Sequence, residues 1–368
     1  MTSRERVIEA CSHSKTDHVP MDFGGTCMSL CYSEFLVKMR EFLGYPLPPD
    51  RDADGSWPDE KIQKYLGADL RFVPYAPPLA LLKDIDHAAY QEALSAKANK
   101  KKHPEDIKTT AVSHNFPLAG KSYEEIKTIK AEPPSPPRHM DWLIKTAKEY
   151  RAAGYATTYW VSGGFFEKGC YSRGYDQFAM DLLCEQEIVK TLFDIWLGEK
   201  LRQVENTVKP LAPYIDIFCF GDDFGMQNAP FMSPEIFHEL IEPYFKTHYG
   251  AVHAAAPESF LFHHSCGSVY KLLDGIIGMG VDILNPIQPN AADMEPEKLK
   301  EKTRGKLCLH GGIDLQDLLP FGKPEEVRRE VERRKSVLGA GGGYICAPAH
   351  SLPEDVPVEN ILAMFGKI

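Results

Sequence analysis

No stretch of this sequence comes near the roughly 20 consecutive apolar residues that a membrane-spanning helix needs. Its opening residues, Met1-Thr2-Ser3-Arg4-Glu5-Arg6, lead into a polar helix pattern and not into an apolar secretory stretch. Basic residues are in short supply: 42 Lys and Arg face 52 Asp and Glu, a formal net charge of −10. That is the wrong balance for a protein that grips a phosphate backbone through a basic stripe. Cys-x-x-Cys pairs are absent as well. The nine cysteines, at 11, 27, 31, 170, 184, 219, 266, 308 and 346 of 368 residues, are too sparse for a disulfide scaffold, so reduced thiols are expected, buried or catalytic. There is no Gly-x-Ser-x-Gly elbow for a nucleophilic serine. The glycine-rich run Gly339-Ala340-Gly341-Gly342-Gly343 precedes an expected strand, whereas nucleotide-binding glycines follow one and open a helix. These absences leave the expectation of a soluble, cytoplasmic protein that binds neither membrane nor nucleic acid.

What is present is a core and an alternation. Hydrophobic residues make up 43% of the chain and aromatics 11%, enough to bury a sizeable interior. Short apolar runs end repeatedly in Gly, Asp, His, Asn or Cys and are followed by polar helical patterns. The runs lie at 19–23, 69–73, 156–161, 215–220, 259–263, 281–284, 306–310 and 343–346. Helical patterns occupy about 138–153, 185–209, 233–256, 268–279, 295–303 and 324–339, with Ser233-Pro234 and Lys323-Pro324 as openings. Strands alternating with helices imply a parallel sheet, because each crossover must return across a face. Eight units predict an α/β fold of the (β/α)8 TIM-barrel kind, one domain over residues 1–368 with an N-terminal extension. An open doubly wound sheet is the competing architecture. Residues 74–137 break the alternation; their lysines at 97 and 100–102 and the prolines at 133, 134, 136 and 137 read as a surface insertion, or as a lid or docking element.

Candidate chemistry gathers at the ends of the expected strands, where barrel active sites form. His264 and Cys266 lie two apart on an extended segment, so both point to one side about 6.6 Å apart, and Cys346 ends the last expected strand. Three nitrogen and sulfur ligands with an open fourth position describe a catalytic zinc site. With 13 histidines and nine cysteines, about 0.3 His-x-Cys pairs arise by chance, so a buried histidine beside core cysteines is the competing reading. Asp222 and Asp223 follow another strand and are candidates for a further metal ligand or a general base, against turn capping. Tyr159, Gln227, Asn285, Gln288 and His310 end neighbouring segments and are candidate substrate-binding residues.

At these residues the sequence resembles the uroporphyrinogen decarboxylase superfamily. The likeness is carried by Phe262-His263-His264-Ser265-Cys266-Gly267, by Gly280 through Gln288, by His310-Gly311-Gly312-Ile313-Asp314, and by Asp17-His18-Val19-Pro20-Met21-Asp22-Phe23-Gly24-Gly25. It is strongest over roughly 140–350. The superfamily's fold is a (β/α)8 barrel. Its true decarboxylases carry an N-terminal arginine-rich motif for the substrate's carboxylates, but Gly24 through Tyr32 here contain no arginine. The branch of cobamide-dependent methyltransferases instead carries His-x-Cys and a distant Cys as zinc ligands, the pattern that His264, Cys266 and Cys346 match. The resemblance therefore implies Zn2+, and methyl transfer between a small molecule and a corrinoid (cobalamin). No Asp-x-His-x-x-Gly segment is present, so the corrinoid must arrive on a partner protein. O-demethylation of a methyl ether such as a methoxylated aromatic is the favoured direction. Methylation of a thiol from the corrinoid, a metal-free lyase acting on a smaller acid, and a non-enzymatic binding barrel are the alternatives.

Overall fold

The computed structural model describes residues 1–47, 59–93, 116–132 and 134–368. Seven parallel strands run in sequence order across one sheet: β1 (Leu70–Phe72), β2 (Ala156–Gly163), β3 (Ile217–Gly221), β4 (Phe260–His264), β5 (Ile283–Asn285), β6 (Cys308–Ile313) and β7 (Tyr344–Pro348). The fold class is thus α/β with a parallel sheet, as expected from the alternation. The first of the eight expected strands, 19–23, differs. It makes a single bridge, Met21 to Cys346, with Cys346 N donating to Pro20 O and Asp22 N to Cys346 O, each at 2.9 Å. On its other side Asp69 N donates to Met21 O at 2.8 Å. Pro20–Asp22 therefore touches both edges of the sheet, but Pro20 has no N–H to extend a ladder. The lysine run at 97–102 lies outside the described residues.

Period-two alternation sorts the side chains into two layers. Leu70, Ala156, Ile217, Cys219, Phe262, Ile283, Cys308 and Ile345 form an inner cluster, into which the N-terminal helix Ser3–Cys11 inserts Val7 and Cys11. That helix opens with a capping box between Thr2 and Glu5, which satisfies two otherwise orphaned N–H groups. The opposite phase, including Phe218, Phe220, Leu261, Leu284, Leu309, Tyr344 and Cys346, packs outward against the helices. Helix Gln186–Gln203 meets it with Ile188, Val189, Leu192, Phe193 and Trp196, an i, i+1, i+4, i+5, i+8 stripe. Burying each such side chain contributes about 1.5–3 kcal/mol. On β4, β5 and β6 the inner phase is apolar near the strand start and turns polar toward the end, and that change places the site.

Candidate metal centre

Following the inner phase along three adjacent strands gives Phe262 then His264, Ile283 then Asn285, and Cys308 then His310. Asn285 and His310 are fully buried and His264 is 7% exposed. β4 carries its phase past the strand end, so Cys266 follows His264 to the same side. Cys266 Sγ lies 3.3 Å from His264 Nε2, close to the roughly 3.6 Å between a sulfur and a nitrogen ligand on one tetrahedral zinc. The third member is His350, in the loop after β7. Ligand atoms of His264, Cys266 and His350 all lie within 4.8 Å of one another, the only such group of three or more among the described residues. The two imidazoles meet edge to face at 5.3 Å. Asp223 Oδ1 stands 3.6 Å from His264 Nε2 and accepts the Cys266 N–H at 2.7 Å.

Cys346 does not join them. Ile345 takes the inner phase, so Cys346 turns outward; its thiol is fully buried beside Tyr344, within the field of Lys335, Arg334 and Glu332 of helix Pro324–Leu338. Tyr159 is displaced by the same rule: it packs in the outer layer while Trp160 faces inward. A Cβ on Gly221 would meet Trp160 Cη2 at 2.6 Å and His264 Cβ at 3.2 Å, so this glycine is what lets the indole lie beside His264.

Asp222 and Asp223, adjacent in sequence, have separate jobs. Asp222 is fully buried, and its two oxygens accept the N–H groups of Phe166 and Glu167, each at 2.7 Å. From the neighbouring strand end it caps helix Phe166–Arg173, and it is closed off from solvent, which sets it in a structural place and not in that of the expected catalytic carboxylate. Asp223 alone faces the donors. Gln288 accepts the N–H of Gly267 at 2.9 Å and donates to Gln227 at 3.3 Å. These bonds tie the loop that carries Cys266 to Gln288, and through it to Gln227. Asn285 and His310 lie beneath that set, with Asn285 Oδ1 2.6 Å from His264 Nδ1.

Electrostatics suit a metal that displaces a proton. Burial, then Asp223 and Glu167, push the Cys266 thiol up to about 12. Burial, then neighbouring His264, hold His350 down at about 4, so its ring is neutral at pH 7. Burial followed by repulsion from Asp223 raises the carboxyl of Glu167, whose Oε1 takes the Tyr171 hydroxyl at 2.7 Å. Neither His350 nor Glu167 is singled out by the sequence. His350 lies past a strand end, beyond the reach of a period-two rule. Glu167 opens a helix after Gly163-Gly164, the loop position that βα units use for function.

A family model described as uroporphyrinogen decarboxylase (URO-D) matches residues 112–368. Among solved structures, a methyltransferase from Methanosarcina mazei is similar in fold with a TM-score of 0.60 at 14% identity, covering 100% of this chain and 98% of that one. A match to a psychrophilic glycoside hydrolase family 10 endo-β-1,4-xylanase covers 64% of this chain and 87% of that one at 9% identity, with a TM-score of 0.36. No curated protein sequence matches.

Proposed function

The chain belongs to the uroporphyrinogen decarboxylase family, and from that membership and the donor set we propose a zinc-dependent methyltransferase that moves a methyl group from a methyl ether to the cobalt of a corrinoid carried by a partner protein. The observation that carries this reading is the convergence of His264, Cys266 and His350 at the strand ends. A half-buried thiol and two imidazoles are the ligand types of a catalytic zinc, three of them with a fourth position open, and the Asp223 carboxylate stands beside them. We take the whole chain as one domain, with Pro20–Asp22 as the eighth stave of the barrel.

The donor set bears on the direction of transfer. The resemblance leads one to expect two thiolates; this chain brings one thiol and two imidazoles. Replacing thiolate by imidazole leaves a harder ion, which favours an oxygen over a sulfur substrate atom. Held by His264, Cys266 and His350, zinc would supply Lewis acidity at the ether oxygen, which would leave with the bonding pair as the methyl group passed to the partner's cobalt(I). Trp160, held beside His264 by Gly221, offers a flat face for an aromatic ether. Glu167, with Oε1 engaged by Tyr171, keeps Oε2 to hold a proton for the leaving oxygen.

The test is turnover with methoxylated aromatics and cob(I)alamin, reading methylcobalamin absorbance against released phenol. Equal yields of the two, abolished by chelation, are expected. Thiol methylation without demethylation, or carbon dioxide release that survives chelation, would move the thiol and lyase alternatives ahead. A second expectation concerns protons. The Cys266 thiol is protonated at pH 7 and must ionise to bind, while His350 is already neutral. The thiol therefore contributes one released proton per zinc, and affinity rises about tenfold per pH unit from 7 to 9. Calorimetry in buffers of different ionisation enthalpy counts that proton; a count of zero would exclude thiolate ligation.

A further inference from the structure

Beneath the donor set runs an unbroken line of side chains. Asp22 Oδ2 lies 3.0 Å from His310 Nε2, His310 Nδ1 lies 2.8 Å from Asn285 Nδ2, and Asn285 Oδ1 lies 2.6 Å from His264 Nδ1. Asp22, Asn285 and His310 are 0% exposed. The far oxygen of Asp22 is occupied by the Gly25 N–H at 2.8 Å. Each group in the line comes from a different segment, and none of the three touches solvent.

The chain has a polarity, and Asp22 sets it. A carboxylate has only acceptors to offer, so His310 must present Nε2–H to it. A neutral His310 then has a bare Nδ1, which can only accept, so Asn285 turns its NH2 toward His310 and its carbonyl oxygen toward His264. That oxygen in turn requires Nδ1–H on His264. The opposite amide orientation would set a bare His310 Nε2 against the buried carboxylate, and would leave His264 with its proton on Nε2, facing the Cys266 sulfur. We propose that Asp22, His310 and Asn285 are positioning residues that fix the Nδ1–H tautomer of His264, so that its Nε2 lone pair faces the metal position. The first link stands on the N-terminal segment, some 240 residues from the ligand it orients. This gives the Asp22 region a task beyond closing the edge of the sheet.

The inference rests on the zinc reading for its affinity readout and is independent of it for its tautomer readout. His310→Leu and Asp22→Asn each lower zinc affinity 10–100-fold in competition with a chromophoric chelator, the usual cost of removing a partner that orients a ligand. His310→Gln restores it to within about threefold of wild type, because a glutamine accepts at Oε1 and donates at Nε2 in the same direction. A general packing role would not sort leucine from glutamine in this way while circular dichroism stays unchanged. Leucine binding zinc as tightly as wild type would overturn the proposal. Nitrogen-15 NMR of histidine-labelled wild type needs no substitution to be tolerated for zinc binding: the ring signal that disappears in His310→Gln must report Nε2–H, and a finding of Nδ1–H would also overturn it. Should wild type take up no zinc, the metal reading fails and the tautomer alone decides the polarity.

Discussion

Cys266→Ser takes bound zinc from about one per chain to near zero, and Cys346→Ser leaves it in place. Serine keeps the size of the side chain but loses the thiolate, so binding at the 266 position weakens by more than the 10–100-fold that outer partners cost; beyond ~100-fold is about 2.8 kcal/mol. His264→Ala does the same, because its Nε2 points at the Cys266 sulfur and its other nitrogen is already committed to Asn285. His350→Ala has a smaller effect. His350 Nδ1 accepts the Ser351 N–H at 2.8 Å, so the ring carries its proton on Nε2 and must rearrange to ligate, which offsets part of what it contributes. Cys346→Ser is the informative control. It places a hydroxyl in the outer core at a cost of about 1–3 kcal/mol, so the melting temperature falls while elemental analysis still finds zinc. Zinc retained by Cys266→Ser, or lost from folded Cys346→Ser, would sink this assignment of ligands.

The contrast between the two cysteines shows what the sequence made legible. Strand existence and order could be read because apolar runs and helix openings recur with a regular rhythm. Facing was legible only where one residue in the strand had an evident side: Phe262, His264 and Cys266 share a phase and fell together. In β7 both phases are apolar, with Tyr344 and Cys346 on one and Ile345 on the other. A strand buried on both faces carries no alternation from which to choose. The same ambiguity misplaced Tyr159 relative to Trp160. Asp222 failed differently: neighbouring carboxylates look alike in sequence, and only the helix that begins at Phe166 after the adjacent strand separates the buried cap from the half-buried Asp223. Loop residues such as His350 obey no periodicity, and the chain reaches them through turns whose geometry a single sequence does not encode in pattern.

Gly225→Ala disables the site from a position that carries no chemistry. The loops after β3 and β4 cross backbone to backbone at Gly225 and Gly267. A Cβ at 225 would lie 2.4 Å from Cys266 O and 2.8 Å from both Gly267 C and Ser268 N. All three are main-chain atoms, so no rotamer change relieves the clash, and the Cys266 loop itself must shift. Gly267 is held at φ +80 with its own would-be Cβ 2.5 Å from Gly225 C, which blocks retreat in that direction. Overpacking of this kind costs about 1–3 kcal/mol, and a displacement near 1 Å at the thiol costs on the order of 100-fold in turnover. Gly250→Ala supplies the comparison, since it sits exposed in helix Glu242–Ala255 with nothing within 4 Å of its would-be Cβ. There alanine stabilises the protein by up to about 1 kcal/mol through helix propensity and leaves zinc binding untouched. Thermal melts and chelator competition on the two variants separate a glycine needed for close approach from one that is merely tolerated. Equal behaviour of the two would mean that the loops are free to part, and that the Cys266 position is not held by the crossing.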